Sequence, residues 1–356
     1  MYMIPNLAAL RAPETPHEEA EAEALARLYA GLSLGEAEAE QLFAALVQGR
    51  MAEPAIAAML VALKIKGETT AELIGAARAL RAACLDFERP PYLFADSCGT
   101  GGDGAGTINL STAVAFVVAA AGLPVAKHGN RSFSSACGSA DVIEALGVRL
   151  DVSPAVSRRA LDEIGICFLF APAYHPGLRH AGPVRKALKV RTVMNVLGPC
   201  LNPAAPPVQL LGVAEPRLVE PVARTLAALG VARALVVHGA GLDEIAGHAA
   251  TEAALLSEGK IERISLAPED AGLRRRSAIA LEGGGPQENA GRLRGLLRGQ
   301  GSEAEAEAVA LNAGALLMVA GKAATLRQGA TLALDTLGSG RPFALLEGLA
   351  ELSHAG

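Results

Sequence analysis

Residues 96–139 read DSCGTGGDGAGTINLSTAVAFVVAAAGLPVAKHGNRSFSSACGS, and the fold follows from how this stretch is divided. An apolar run from Tyr92 to Ala95 suits a buried strand, and the glycine-rich segment Gly99 to Gly104 follows it. Asn109, Leu110, Ser111 and Thr112 then open a mostly apolar helix that is expected to end near Gly122. The amides of its first turn have no partner within the helix and carry partial positive charge, while glycines let a backbone approach a ligand closely. Strand, glycine loop and helix start together describe a cradle for phosphate. The loop is neither a P-loop, since no Gly-Lys-Ser/Thr follows, nor a dinucleotide fingerprint that opens directly into its helix.

A second polar cluster, Lys127-His128-Gly129-Asn130-Arg131-Ser132-Phe133-Ser134-Ser135, lies just past Val125 and Ala126, read as the end of the next parallel strand. In an open α/β sheet, ligands bind beyond the carboxyl ends of the strands. Two neighbouring strands therefore deliver glycines, hydroxyls, Lys127, Asn130 and Arg131 to one edge.

The 356 residues allow two domains. A chain that is 51% hydrophobic and 19% charged can bury a large core, which excludes general disorder. Aromatics make up only 3%, so helices must pack through small side chains. The net charge of −5 and the lack of a basic domain argue against nucleic acid, and Arg274-Arg275-Arg276 reads as a solvated loop. Five scattered cysteines show neither disulfide nor zinc spacing, so a reduced cytoplasm is the expected compartment. The N-terminus has no leader pattern, and Ala113 to Ala121 is too short to span a bilayer.

Four short helices are expected before residue 90. The first lies in HEEAEAEALARLYAGL, and the second is capped by Ser33 with Glu36. The third starts at Pro54 and is closed by Gly67, and the fourth is capped by Thr69 with Glu72. Their apolar faces suit either packing on one another or a subunit contact. Past Pro90-Pro91 strands and helices alternate, which argues for a mostly parallel sheet. Helices are expected over 140–146 and 154–164, then a strand from Cys167 to Phe170. The loop with Tyr174 and His175 falls on the ligand edge, and the proline-rich run to Pro207 reads as a hinge or an interdomain crossing. A strand from Ala234 to Val237 leads to Asp243-Glu244. Two adjacent carboxylates beyond a strand end, in a chain that already carries a phosphate cradle, suit a hard cation such as Mg2+. Four helices, over 284–295, 304–319, 325–337 and 342–352, complete the core.

Taken in order, Gly99 to Gly104 with Thr107 and Asn109 to Thr112, Lys127 to Ser135 with Ser139, PVRKAL around Arg185, NVLGP, and Asp243-Glu244 resemble the anthranilate phosphoribosyltransferases of tryptophan biosynthesis. The resemblance spans nearly the whole chain, including NAGALLMVAGKAA near its end, with Cys137 and Cys200 as small departures. It implies an α/β fold with a small all-α domain, of the nucleoside phosphorylase/phosphoribosyltransferase type, with a mostly parallel sheet flanked by helices. Residues 1–90, with a contribution from about 180–205, would form the helical domain. Residues 91–356 would form the catalytic domain, and a homodimer would pair through the helical one.

The implied reaction is attack of the anthranilate amine on C1 of 5-phosphoribosyl 1-diphosphate, with Mg2+ as cofactor and no catalytic nucleophile on the chain. By resemblance Gly99, Gly102, Asp103, Thr107, Asn109, Leu110, Ser111 and Thr112 hold the phosphoribosyl diphosphate. Lys127, His128, Gly129, Asn130, Arg131, Ser132, Phe133, Ser134, Ser135 and Ser139 complete that set. Gly99, Asn130 and Arg185 position anthranilate, and Ser111, Asp243 and Glu244 engage Mg2+. The alternatives are a pyrimidine nucleoside phosphorylase-like enzyme and a non-catalytic nucleic-acid-binding relative; no membrane partner is expected.

Overall fold

The structure, a computed structural model, describes residues 16–132 and 136–355. Its first lobe is helical: α1 (Pro16–Tyr29), α2 (Glu36–Val47), α3 (Glu53–Lys66) and α4 (Thr70–Ala82). Pro54 occupies the first turn of α3, and Gly67 closes it. Thr69 and Glu72 form the expected reciprocal cap on α4. The cap expected from Ser33 and Glu36 does not form. Helix α2 begins at Glu36 itself, so its cap is Gly35, whose amide donates to Glu38 Oε2 at 2.7 Å. Small side chains set the packing of the lobe: a Cβ on Gly75 of α4 would lie 2.1 Å from the carbonyl oxygen of Glu36.

Among the described residues seven strands form one sheet, in the order β3-β2-β1-β4-β5-β6-β7. Its strands are β1 (Ala95–Gly99), β2 (Val125–Gly129), β3 (Ile166–Phe170), β4 (Val208–Gly212), β5 (Arg233–His238), β6 (Thr251–Ser257) and β7 (Lys260–Leu266). The first five are parallel and the last two antiparallel. Helix α5 (Leu110–Ala120) joins β1 to β2, and α6 (Ser139–Ala145) with α7 (Pro154–Ile164) joins β2 to β3. The chain then turns back across the sheet through α8 (Ala171–Tyr174), α9 (Gly182–Leu188) and α10 (Val193–Leu197) to reach β4 on the other side of β1. The order of strands reverses at β1 and β4, and that is where a ligand crevice opens in such sheets.

Three differences from the expected elements bear on the site. The first strand starts at Ala95 and includes Asp96 and Ser97, which are fully buried, rather than ending at Ala95. The second runs on through Lys127 and His128 to Gly129, so these residues are strand, not loop. The chain after the proline-rich run is β4, a central strand; β6 and β7 form a hairpin around Glu258 and Gly259, both with positive φ, as a two-residue turn demands.

Helix α11 (Val219–Ala228) joins β4 to β5, and α12 (Pro286–Leu297), α13 (Glu303–Val319), α14 (Leu326–Gly338) and α15 (Arg341–His354) lie within two residues of where they were expected. Side chains alternate across the strands. Leu235 and Val237 of β5 enter the core beneath α5, α13 and α15, and Ala234 and Val236 enter a second core. That second core contains Leu42, Leu46, Leu73 and Val222, so the helical lobe is packed onto one face of the sheet. Helix α4 rests on α11, and Arg81 Nη1 donates to Leu229 O at 3.0 Å. Among the described residues no helix is long and apolar enough to cross a membrane.

Glu72 ties the lobe together. It is 1% exposed, and it accepts the amides of Leu34 (2.9 Å) and Thr69 (2.8 Å) and the ammonium of Lys66 (2.8 Å). Removing one member of a buried ion pair strands the other, at a cost of about 3 kcal/mol. Glu72→Ala is expected to lower the unfolding free energy by that order, read as a lower denaturant midpoint at unchanged slope; a loss below about 1 kcal/mol would show that the network contributes little.

Candidate functional site

A cleft of about 270 Å3 opens at the carboxyl ends of β1 and β2, beside the turn that follows β5. Its floor is the glycine loop after β1. Gly101, Gly102, Gly104 and Gly106 all have positive φ, and the loop turns without side chains that would fill the cleft. Two carboxylates anchor it from within: Asp243 Oδ2 accepts the Gly101 amide at 2.6 Å, and Asp103 Oδ1 accepts that of Ala105 at 3.1 Å.

The acidic pair is delivered by a tight turn. After β5 the amide of Gly239 bonds to Leu242 O and that of Leu242 to Gly239 O. His238 Nε2 accepts the Gly241 amide at 3.2 Å, which leaves its Nδ1–H to donate to Val213 O at 2.9 Å. Asp243 then lies directly against two strand ends. A Cβ on Gly212 would fall 1.5 Å from Asp243 O, and one on Gly99 would fall 2.3 Å from Asp243 Oδ2. On the far side Asn312 of α13, fully buried, accepts the Ile245 amide at 2.9 Å and donates to Ile245 O at 3.1 Å.

Burial raises the proton affinity of Asp243, and the nearby Asp103 raises it further. Glu244 is raised by burial and then by Asp243, against the pull of Lys127. The backbone of Ser111, in the first turn of α5, pulls the proton affinity of Glu244 back down, as the start of a helix favours negative charge. Lys127 is 2% exposed and donates to Ser97 O at 2.6 Å and Ser111 Oγ at 3.2 Å.

Among the described residues no group of three or more His, Cys, Asp and Glu side chains could hold a metal alone. The set Ser111, Asp243 and Glu244 nonetheless fits Mg2+. It offers hard oxygen donors whose mutual repulsion a cation relieves, and Mg2+ characteristically takes one or two carboxylates and completes its shell with water and substrate phosphates.

The structure brings most of the expected residues to this cleft: Gly99, Gly102, Asp103, Thr107, Asn109, Leu110, Ser111, Lys127 to Ser132, Ser139, Arg185, Asp243 and Glu244 all line it. Thr112 does not. It faces the core with no exposure, because the turn of α5 carries it away from the edge. Arg131 reaches the rim, but its guanidinium is engaged by Asp141 and Glu144 at 2.8–3.2 Å. Phe133, Ser134 and Ser135 lie outside the described residues. Arg185 lines the cleft from α9, and burial lowers its proton affinity.

His175, expected on the ligand edge, lines the cleft, and Leu178, Met194, Asn195, Gly198, Pro199 and Leu201, to which no role was assigned, line it as well. The NVLGP motif was visible in the sequence, but nothing in its residue types marks it as cleft lining. Asn289 donates to Asn109 Oδ1 at 3.1 Å and accepts the Gly284 amide at 2.8 Å, closing the end beyond α5.

His128 and His175 meet edge to face, with centroids 5.4 Å apart. Burial lowers His175 to about 4 and His128 well below its ordinary value. The unfolded chain therefore takes up these protons near pH 6.5, and the folded protein takes up that of His175 only near pH 4. In that window the unfolded state binds more protons, so stability falls as pH falls. Unfolding free energy is expected to drop by roughly 1–2 kcal/mol per histidine between pH 7 and pH 5. In His175→Gln part of this slope should vanish; denaturation curves of equal slope in variant and wild type would refute the account.

The sequence from 92 to 343 matches the family model described as "Glycosyl transferase family, a/b domain", and 22–84 matches its "helical bundle domain". The anthranilate phosphoribosyltransferase of Sorangium cellulosum is 59% identical over 92% of this chain and 94% of its own length. That of Yersinia pestis is 53% identical over 91% and 97%. The crystal structure of the Thermus thermophilus enzyme of that name superposes with a TM-score of 0.87 at 44% identity, covering 93% of this chain and 99% of its own. The Saccharomyces cerevisiae structure, described as a complex with PRPP and Mg, has the same TM-score at 24% identity, over 95% and 99%, and shares the fold.

Proposed function

We infer function from membership: the chain belongs to the anthranilate phosphoribosyltransferases of the glycosyl transferase family, and its reaction is transfer of a 5-phosphoribosyl group to the amine of anthranilate. The observation that carries this reading is the cleft itself, where a glycine loop and a helix start face an acidic pair and a buried lysine at the β1/β4 switch point. The phosphorylase reading shares the fold and the nucleic-acid reading does not follow from it, and the relatives at 53–59% identity favour neither.

The residue roles are our proposal. Gly99, Gly102, Asp103, Thr107, Asn109, Leu110 and Ser111 hold 5-phosphoribosyl 1-diphosphate with Lys127 to Ser132 and Ser139, while Thr112 supports the turn from behind. Ser111, Asp243 and Glu244 would hold Mg2+, which supplies positive charge to the departing diphosphate. Gly99, Asn130 and Arg185 position anthranilate, with the Arg185 guanidinium on its carboxylate. An aromatic amine is uncharged at neutral pH and attacks without help, so the chain has to orient two reactants and neutralise negative charge as it develops. No covalent intermediate is needed.

The division into 1–90, with the strap from about 180 to 205, and 91–356 is part of the proposal. It is supported by the packing of α9 on α3 and of α10 on α3 and α4. A place in cytoplasmic tryptophan biosynthesis follows from the reaction and from the absence of disulfide-forming cysteine spacing. A homodimer through the helical lobe is supported by exposed Tyr29, Leu32 and Ile65, the last 81% exposed. Analytical ultracentrifugation should give twice the chain mass; a monomer at micromolar concentration would overturn it.

Anthranilate is fluorescent, so its consumption reads the reaction directly. Signal should fall only when protein, 5-phosphoribosyl 1-diphosphate and Mg2+ are all present, and a chelator should stop it; no loss from folded protein would refute the function. In the same assay Arg185→Ala should raise the Michaelis constant for anthranilate by roughly ten- to a hundredfold, the worth of a hydrogen-bonded ion pair. An effect confined to the phosphoribosyl donor would reassign Arg185.

A further inference from the structure

Arg191 lies behind the cleft wall and belongs to none of the sets above. Its Nη1 donates to Gly102 O at 2.7 Å, and its Nη2 to Thr100 Oγ1 at 3.4 Å. Thr100 Oγ1 also accepts the amide of Ala214, just past β4, at 3.1 Å. A Cβ on Gly102, where φ is +69°, would fall 2.9 Å from Cδ and Nε of Arg191, so loop and guanidinium touch directly. The Nε is buried without a partner.

The backbone of Arg191 has little freedom. Lys189 ends α9 in the left-handed region, φ 53°, with its amide on Arg185 O at 3.2 Å. Thr192 caps α10, and its amide donates to Asn195 Oδ1 at 3.1 Å. Arg191 is thus fixed between two helix ends on the strap that also carries Arg185. The loop it grips is tied to several elements: the Thr100 amide to Gly212 O, the Gly101 amide to Asp243, Asp103 Oδ2 to the Asp243 amide at 3.4 Å, and Gly106 O to the Gly283 amide at 2.7 Å. Among its ties, those of Arg191 to Gly102 O and Thr100 Oγ1 are the ones that come from the strap.

We propose that Arg191 is a positioning residue that couples the two substrate sites, passing the position of the phosphate-binding loop to the strap that bears Arg185. The proposal rests on the assignment of those sites above. Donor phosphates that settle in the loop fix Gly102 and Thr100, which fixes the guanidinium and with it α9. By linkage, acceptor bound at α9 steadies the loop to the same degree. The planar fork reaches a carbonyl and a hydroxyl together, which an ammonium does not reproduce.

The test is equilibrium binding of anthranilate, read by its fluorescence, with and without saturating Mg2+ diphosphate, the donor's own leaving group, which cannot react. In the wild type diphosphate should tighten anthranilate binding by at least about fivefold. In Arg191→Gln that factor should fall below about twofold, while affinity in the absence of diphosphate stays close to wild type. Arg191→Lys should remain largely uncoupled, and Thr100→Val, which removes one end of the tether and leaves the guanidinium in place, should be intermediate. These two variants carry the test if Arg191→Gln does not fold, as judged by circular dichroism. Coupling that survives unchanged in a folded Arg191 variant, or a wild type without coupling, overturns the proposal. Failure of the wild type to consume anthranilate at all would instead overturn the functional reading beneath it.

Discussion

The acidic pair at 243 and 244 is held where it cannot move, and much of the molecule exists to hold it there. Asp243 is pressed onto the ends of β1 and β4 at positions that admit only glycine, since any Cβ on Gly212 would overlap its carbonyl. Just past the pair, Asn312 grips both backbone groups of Ile245 from the middle of α13. That clamp explains why the NAGALLMVAGKAA stretch, far from the cleft in sequence, belongs with the site motifs. Gly314 in the same stretch lets α14 approach within contact of α13, where a Cβ would lie 2.4 Å from the Ala330 amide. Carboxylates fixed in this way cannot spread apart to relieve their repulsion, so the relief has to come from a cation or a proton.

That electrostatic condition gives the site its ligand class. Three acids share the cleft with one buried lysine, and the loop beside them is shaped for phosphate. A phosphate alone would add to the repulsion; a phosphate with a divalent cation removes it. The amide of Gly101, which Asp243 takes at 2.6 Å, is of the kind a phosphate oxygen takes. If a phosphate oxygen took that amide, the amide would stay paired and the carboxylate would be left free for a cation. On the function proposed above, donor and metal binding would then be linked.

How much of this could be read from the chain varied with the kind of contact involved. Helix starts were legible because a cap is local: Thr69 with Glu72 and Pro54 act within one turn. The β1 strand was set too early because Asp96 looks like solvent-facing sequence. In the fold it is fully buried, accepting Asn202 Nδ2 at 2.8 Å and the His128 amide at 3.3 Å, partners 106 and 32 residues away. The hairpin of β6 and β7 carries a local signal, the alternating TEAALLSEGKIERISL around Glu-Gly, but one weaker than the helical patterns that follow it. Thr112 belongs to the Asn109–Thr112 motif by resemblance, yet its side chain, about 100° around the helix from that of Ser111, is buried in the core. Arg191 had no sequence signal, since its partners are a glycine carbonyl and a hydroxyl some ninety residues back.

The two cations of the KHGNR run show why residue type alone does not assign a role. Lys127 is strand, 2% exposed, and its ammonium is fixed by Ser97 O and Ser111 Oγ. Keeping that charge buried is costly unless the acids across the cleft, or an anion in the loop, stay within reach, so its place and its charge are set by the site. Arg131, four residues on, is exposed, but its guanidinium is held in two-pronged fashion by Glu144 at 2.8 and 3.0 Å and by Asp141 at 3.2 Å, a network rather than a lone surface pair. A phosphate at the rim would have to compete with these carboxylates for it. On the function proposed above, Lys127 would belong to the fixed geometry of the site, and Arg131 would contribute only by exchanging partners.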